Sequence, residues 1–122
     1  MPKRVLIIDD DHDIAGALLI RLRALGYSAH HAPNGTRGLE EATQVPPDII
    51  LLDLRMPDMD GFEVNRRLKE NVQLAQIPVI CLSANLPEKV RKNAINSGIQ
   101  ACILKPYDTR VLMSAIENVV DT

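Results

Sequence analysis

The segment Ile49-Ile50-Leu51-Leu52-Asp53 places four aliphatic residues directly before an acid. A continuous apolar run of this length is typical of a parallel β-strand that is buried on both faces. Runs of similar length recur along the chain, with a weaker one second in order: Val5 to Ile8, Tyr27 to Ala32, Val79 to Leu82 and Ala101 to Leu104. The sequence therefore predicts five strands, of which Val5 to Ile8 and Ile49 to Leu52 are strongly buried.

Helical patterns separate these runs. Ile14, Leu18 and Leu22 recur at helical spacing before Gly26, a residue that commonly ends helices. Four further helical segments follow the other strands, and Gly98 ends the fourth. Parallel strands need crossover connections, so the alternation predicts an α/β fold: a doubly wound, five-stranded parallel sheet with helices on both faces. One domain is expected over residues 1–122.

Composition limits the possible functions. Apolar residues make up 46 % of the chain and the formal net charge is −2, so no general attraction to nucleic acid or to anionic membranes is expected. Cys81 and Cys102 have no secretory leader before them, and no apolar run is long enough to cross a membrane. A cytoplasmic protein with reduced thiols is expected.

Polar residues follow the predicted strands where each strand ends. They are Asp9 and Asp10, Asp53, Ser83 and Lys105. In doubly wound sheets, ligands bind beyond the carboxyl ends of the strands. Converging carboxylates repel one another and favour a hard cation such as Mg²⁺, while a lysine and a hydroxyl can hold phosphoryl oxygens. Together these residue types indicate phosphoryl transfer to a carboxylate nucleophile.

Each residue also has an ordinary structural interpretation. Asp10 and Asp11 could cap the first helix, Asp53 could be a turn residue, and Ser83 could be a cap. The coincidence of all these groups at one edge of the sheet favours the functional interpretation.

The motifs Asp9-Asp10, Asp53 to Gly61, Ser83-Ala84 and Lys105-Pro106 resemble the receiver domains of bacterial two-component response regulators, in order and over essentially the whole chain. The resemblance implies the flavodoxin-like strand order 2-1-3-4-5. It also implies a cis bond before Pro106 and a positive φ at Gly61. The roles that it implies are a phosphoacceptor at Asp53, a switching hydroxyl at Ser83 and a cationic clamp at Lys105. The implied Mg²⁺ ligands are Asp10, Asp53, the backbone carbonyl of Arg55 and, through a water, Asp9.

The resemblance also implies partners. A sensor histidine kinase or a histidine phosphotransfer protein would donate the phosphoryl group. A downstream output domain or protein would bind the face formed by helix four, strand five and helix five. Such a protein is a signalling switch that catalyses only its own phosphorylation and dephosphorylation. An N-terminal receiver is expected, either standing alone or preceding an output domain.

One position departs from the family pattern. The residue three positions before Lys105 is Cys102, where most receivers carry an aromatic switch residue. This departure leaves open a degenerate receiver that acts as a constitutive docking module. A phosphatase with an aspartyl-phosphate intermediate is a third alternative, but such sites usually carry an acid two residues after the nucleophile, where this chain has Arg55.

Overall fold

The computed structural model describes residues 2–120, in which strands and helices alternate. The ten elements are β1 (Arg4–Ile8), α1 (His12–Ala24), β2 (Ser28–Ala32), α2 (Gly35–Gln44), β3 (Ile49–Asp53), α3 (Gly61–Glu70), β4 (Val79–Ser83), α4 (Glu88–Asn96), β5 (Ala101–Leu104) and α5 (Thr109–Val120). The alternation agrees with the α/β prediction. Positions 1, 121 and 122 of the predicted domain lie outside the described residues.

The five strands form one parallel sheet in the order β2-β1-β3-β4-β5, which confirms the predicted topology. The pairing register of the strands places the polar residues at the same end of the sheet. Ile8 pairs with Leu52, so the acids that follow these two residues leave β1 and β3 side by side. Ser83 pairs with Leu104, so Lys105 emerges next to the end of β4.

The core lies on both faces of the sheet. Every residue of β3 and β4 is buried. Ile50 and Leu52 belong to a cluster that includes residues of α2, α3 and α4, whereas Ile49 and Leu51 belong to a cluster with α1 and α5. Neighbouring residues point to opposite faces because side chains alternate along a strand. Burial of both faces fixes the register, and with it the level at which each strand ends.

Three backbone predictions are confirmed and two change. Gly26 and Gly98 end their helices with φ of 96° and 95°, and the Lys105–Pro106 bond is cis. The second strand begins at Ser28 instead of Tyr27. The prediction for Gly61 is wrong, because its φ is not positive. A Cβ atom at Gly61 would lie 2.7 Å from the carbonyl oxygen of Asp53, so close backbone approach explains the glycine.

Candidate functional site

Asp9 and Lys105 form a buried ion pair at the carboxyl end of the sheet. Asp9 is fully buried, and its Oδ2 accepts a hydrogen bond of 2.7 Å from the Lys105 Nζ. Its Oδ1 accepts a second hydrogen bond from the backbone amide of Asp11. Burial alone would lower the pKa of Lys105, but the hydrogen bond and charge of Asp9, with the charge of Asp53, raise it. Lys105 is therefore a fixed positive charge at this end of the sheet.

Asp53 lies beside this pair at the end of β3 and is 5 % exposed. Its Oδ2 lies 3.6 Å from the Lys105 Nζ, and its Oδ1 accepts a hydrogen bond of 3.1 Å from the Arg55 amide. Burial raises the pKa of Asp53 to about 7, although the Arg55 amide and Lys105 oppose the rise; the neighbouring Asp9 adds to it. The site thus holds more negative charge than Lys105 neutralises.

Three carboxylates converge on a possible cation site. Asp9, Asp10 and Asp53 each offer an oxygen, and these oxygens lie within 4.8 Å of one another. Asp10 is exposed, so this group of ligands opens to solvent. A donor set made only of oxygens suits hard divalent cations. The next acid has a different role, because the Asp11 carboxylate caps α1 by accepting a hydrogen bond from the Ile14 amide.

Ser83 ends β4 and is 1 % exposed. Its hydroxyl donates a hydrogen bond of 3.0 Å to the carbonyl of Asn85 and accepts one of 3.4 Å from the Asn85 amide. The hydroxyl is therefore bonded to the loop that leads into α4. Movement of this hydroxyl would break its hydrogen bond to the Asn85 carbonyl, so the position of the side chain affects the loop.

Cys102 does not join the group at the end of the sheet. It is opposite Cys81 in the register of β4 and β5, two residues before the Ser83–Leu104 pair. Both thiols are buried and free, and burial, with the neighbouring Cys102 thiol, raises the pKa of Cys81. The carbonyl of Cys102 accepts a hydrogen bond of 3.3 Å from the Arg91 guanidinium of α4. This backbone contact joins α4 to the edge strand β5.

Two residues near the site were not predicted from the sequence to contribute to it. The Nε2 atom of His31 lies 2.7 Å from the carbonyl oxygen of Asp9, to which it can donate. Asp58, in the loop after β3, accepts hydrogen bonds from Gly35 and Thr36 at the start of α2. Both contacts join segments more than 20 residues apart, so only the folded chain shows them.

The sequence matches the family model described as "Response regulator receiver domain" over residues 5–117. It is 36 % identical over 115 residues to the DNA-binding dual master transcriptional regulator RpaA of Synechocystis, covering 93 % of this chain and 47 % of that protein. It is 32 % identical over 117 residues to the sensor histidine kinase TmoS of Ectopseudomonas mendocina, covering 96 % of this chain and 12 % of that protein. The chain thus spans about half the length of the first relative and far less of the second.

A solved structure is similar over nearly the whole fold. The signal receiver domain of a DNA binding response regulator protein (merR) from Colwellia psychrerythraea has a TM-score of 0.92 and 30 % identity, covering 98 % of this chain and 99 % of that chain. Within residues 2–120, none of the helices combines the length and apolar character needed to cross a membrane. By sequence, by strand order and by the acids at the ends of β1 and β3, the chain belongs to the response regulator receiver domain family.

Proposed function

We propose that Asp53 is the phosphoacceptor of this receiver domain. The observation that carries the proposal is the position of its carboxylate within 3.6 Å of the Lys105 ammonium group and within 4.8 Å of the Asp9 and Asp10 carboxylates. Asp53 is central to the group, since the neighbouring strands bring Asp9 to one side of it and Ser83 to the other. We further propose that the domain extends over residues 1–122.

The proposed reaction transfers a phosphoryl group between two side chains. A carboxylate oxygen of Asp53 attacks the phosphorus of a phosphohistidine on the donor protein, and the nitrogen–phosphorus bond breaks. Lys105 stabilises the negative charge on the transferred oxygens, and the Ser83 hydroxyl can donate to one of them. A bound Mg²⁺ would neutralise further charge, and Asp9, Asp10, Asp53 and the Arg55 carbonyl would hold it.

Phosphorylation is proposed to act through the loop after Ser83. When the hydroxyl turns to the phosphoryl group it leaves the Asn85 carbonyl, so the loop and the start of α4 must adjust. The face formed by α4, β5 and α5 is suited to a partner, because it carries exposed apolar side chains beside the basic side chains of α4. The apolar residues are Ile95, Leu104 and Val111.

The proposed donor is a sensor histidine kinase or a histidine phosphotransfer protein in the cytoplasm. The proposed receiver of the signal is an output domain or a protein partner, with no direct nucleic-acid binding by this domain. A constitutive docking module is not favoured, because the chain retains Asp9, Asp10, Asp53 and Lys105 in one group, with Ser83 at the end of the neighbouring strand β4, despite the change at Cys102.

The proposal is tested by incubation with acetyl phosphate and Mg²⁺, followed by intact mass measurement. The wild-type chain should gain one phosphoryl group. Asp53→Asn should gain none, whereas Asp48→Asn, an acid change at the opposite end of the sheet, should behave as wild type. Full labelling of Asp53→Asn, or of a sample treated with a chelator, would refute the assignment.

The metal assignment predicts a difference between two neighbouring acids. Asp10→Ala should weaken Mg²⁺ binding strongly, because its carboxylate belongs to the cluster, whereas Asp11→Ala should remove only the cap of α1. Calorimetric titration with Mg²⁺ measures both. Equal affinities in the two variants would contradict the division of roles.

A further inference from the structure

The loop between β3 and α3 is held at its base by backbone contacts. The Gly61 amide donates a hydrogen bond of 2.9 Å to the Leu54 carbonyl, which closes the loop across residues 55–60. Close approach of Gly61 to the backbone of Asp53 and Leu54 leaves no room for a side chain there. The Arg55 amide, in the first part of the loop, donates to the Asp53 carboxylate. The base of the loop is thus attached directly to the proposed phosphoacceptor.

The tip of the same loop is attached to α2. Asp58 accepts hydrogen bonds of 3.3 Å from the amides of Gly35 and Thr36, and one of 3.2 Å from the Thr36 hydroxyl. Burial acts to raise the pKa of Asp58, but the backbone hydrogen bonds from Gly35 and Thr36 outweigh it and lower the pKa. Asp58 is therefore ionised near neutral pH and is suited to the positive end of the α2 dipole.

Packing supports the same attachment. A Cβ atom at Gly35 would lie 3.1 Å from the Cβ of Met59 and 2.8 Å from a methyl group of Val64. The first residue of α2 is therefore pressed against the loop residue that follows Asp58. Hydrogen bonds and packing act together at this junction, which fixes the loop tip in position.

From these contacts we infer that Asp58 is a positioning residue for the metal site. By fixing the loop tip on α2, it keeps the backbone of Arg55 in place beside Asp53, where the Arg55 carbonyl would serve as a ligand. This inference rests on the proposed function, since it concerns the Mg²⁺ of that same site. Residues that orient a metal ligand commonly change metal affinity when they are removed, without contacting the metal themselves.

The first test uses the metal-free protein and measures amide hydrogen exchange at Arg55. Asp58→Ala should speed exchange of the Arg55 amide, because the loop loses its attachment to α2. Asp48→Ala is the matched control: Asp48 also accepts a backbone amide hydrogen bond, but at the opposite end of the sheet. Unchanged Arg55 exchange in Asp58→Ala would overturn the inference, whether or not the site binds Mg²⁺.

The second test is a Mg²⁺ titration by calorimetry. Asp58→Ala should bind Mg²⁺ about threefold to tenfold more weakly, at or below the lower end of the effects seen for groups that orient metal ligands. Loss of one negative charge could itself weaken binding, so two variants separate the causes. Asp58→Asn loses the same charge but keeps an acceptor oxygen, and should retain most of the affinity. Thr36→Val removes a donor without any change of charge, and should weaken binding.

The outcomes distinguish this inference from the proposed function. Failure of the wild-type chain to bind Mg²⁺ or to be phosphorylated would refute the proposed function, while faster Arg55 exchange in Asp58→Ala would still support the attachment. Wild-type affinity in both Asp58→Ala and Thr36→Val would overturn the inference and leave the proposed function standing. Equal weakening by Asp58→Ala and Asp58→Asn, with no effect of Thr36→Val, would show a charge effect and likewise overturn it.

Discussion

Charged side chains cluster in two regions of this domain, with opposite consequences. At the carboxyl end of the sheet, Asp9 and Asp53 are buried beside Lys105, and the pKa of Asp53 is raised to about 7. On the outer surface of α3, Glu63 is hydrogen-bonded by Arg66 and Arg67, and these hydrogen bonds lower its pKa to about 2. Burial therefore raises the pKa of the carboxyl in the first region, whereas hydrogen bonds from two arginines lower it in the second.

The largest difference in stability between the two regions is expected when a basic side chain is removed from each of them. Lys105→Met leaves Asp9 and Asp53 buried without their partner, and should lower the free energy of unfolding of the metal-free protein by roughly 3 kcal/mol. Arg66→Met should have little measurable effect, because exposed ion pairs are screened by water. Urea unfolding measures both. Similar losses of unfolding free energy in the two variants would contradict the expected difference between the buried and the exposed region.

The pH dependence of stability should also have opposite signs in the two regions. The folded state holds the Asp53 proton more tightly than the unfolded chain, whose pKa is near the ordinary 3.8. This tighter proton binding contributes to the free energy of unfolding. The contribution is fully present below pH 3.8 and is lost as the pH rises through about 7. Glu63 behaves in the opposite way: its contribution is present above its ordinary 4.5 and lost as the pH falls through about 2.

Between pH 5 and pH 8, in the absence of divalent cations, the Asp53 effect should cost about 3 kcal/mol, since pH 5 lies two units below the folded-state pKa of about 7 and one unit corresponds to about 1.4 kcal/mol. Denaturant unfolding at the two pH values measures it. Asp53→Asn should flatten the profile over this range, and Glu63→Gln should leave it unchanged. A wild-type profile that rises from pH 5 to pH 8 by the same amount would contradict the assignment.

Two glycines allow a similar comparison of packing, because one lies against the backbone next to the site and the other has free space around it. Gly61→Ala puts a methyl group against the backbone of Asp53 and Leu54, and should destabilise the fold by about 1–3 kcal/mol. A Cβ atom at Gly16, inside α1, would meet no other atom within 4 Å, and Gly16→Ala should stabilise the fold by about 0.5–1 kcal/mol. Thermal unfolding of the two variants gives the sign directly; a gain for Gly61→Ala would show that the backbone can yield there.

The smallest effect is expected at Cys102, which lies in β5 and whose carbonyl is hydrogen-bonded to Arg91 of α4. The thiol has one rotatable side-chain bond and little area, so it can contribute little to allosteric coupling, which is typically ~1–3 kcal/mol in total. Cys102→Ala should leave intact both phosphorylation and the change it causes in α4, measured by amide exchange with and without beryllofluoride. Loss of the change in α4, while Asp53 still binds the mimic, would identify the cysteine itself as the switch.

The sheet was predictable from local patterns, because apolar runs such as Ile49 to Leu52 specify buried parallel strands. The acids and the lysine were predictable as a group because parallel strands end at one edge. The pairing of Lys105 with Asp9 was not, since it depends on how the chain turns after β5. The prediction for Gly61 failed because crowding from a neighbouring segment, and not a local dihedral angle, demands the glycine.

Other contacts could have been found from spacing alone. Glu63, Arg66, Arg67 and Glu70 stand three and four residues apart on one helix, a spacing that places side chains together on one face. The attachment of Asp58 to Thr36 has no such signal. It joins the tip of the loop after β3 to the start of α2, 22 residues away in sequence, and only the packing of α2 against α3 brings them together.

The ion pair between Asp9 and Lys105 joins residues 96 positions apart, at the first strand and just beyond the last. During synthesis, Asp9 and Asp53 are therefore made long before the lysine that neutralises them. In the finished protein, local opening of the edge strand β5 would withdraw Lys105 while the other four strands stay paired. Under the proposed function, phosphorylation of Asp53 would therefore require that β5 is paired in the sheet, and it would be lost before the rest of the fold opens.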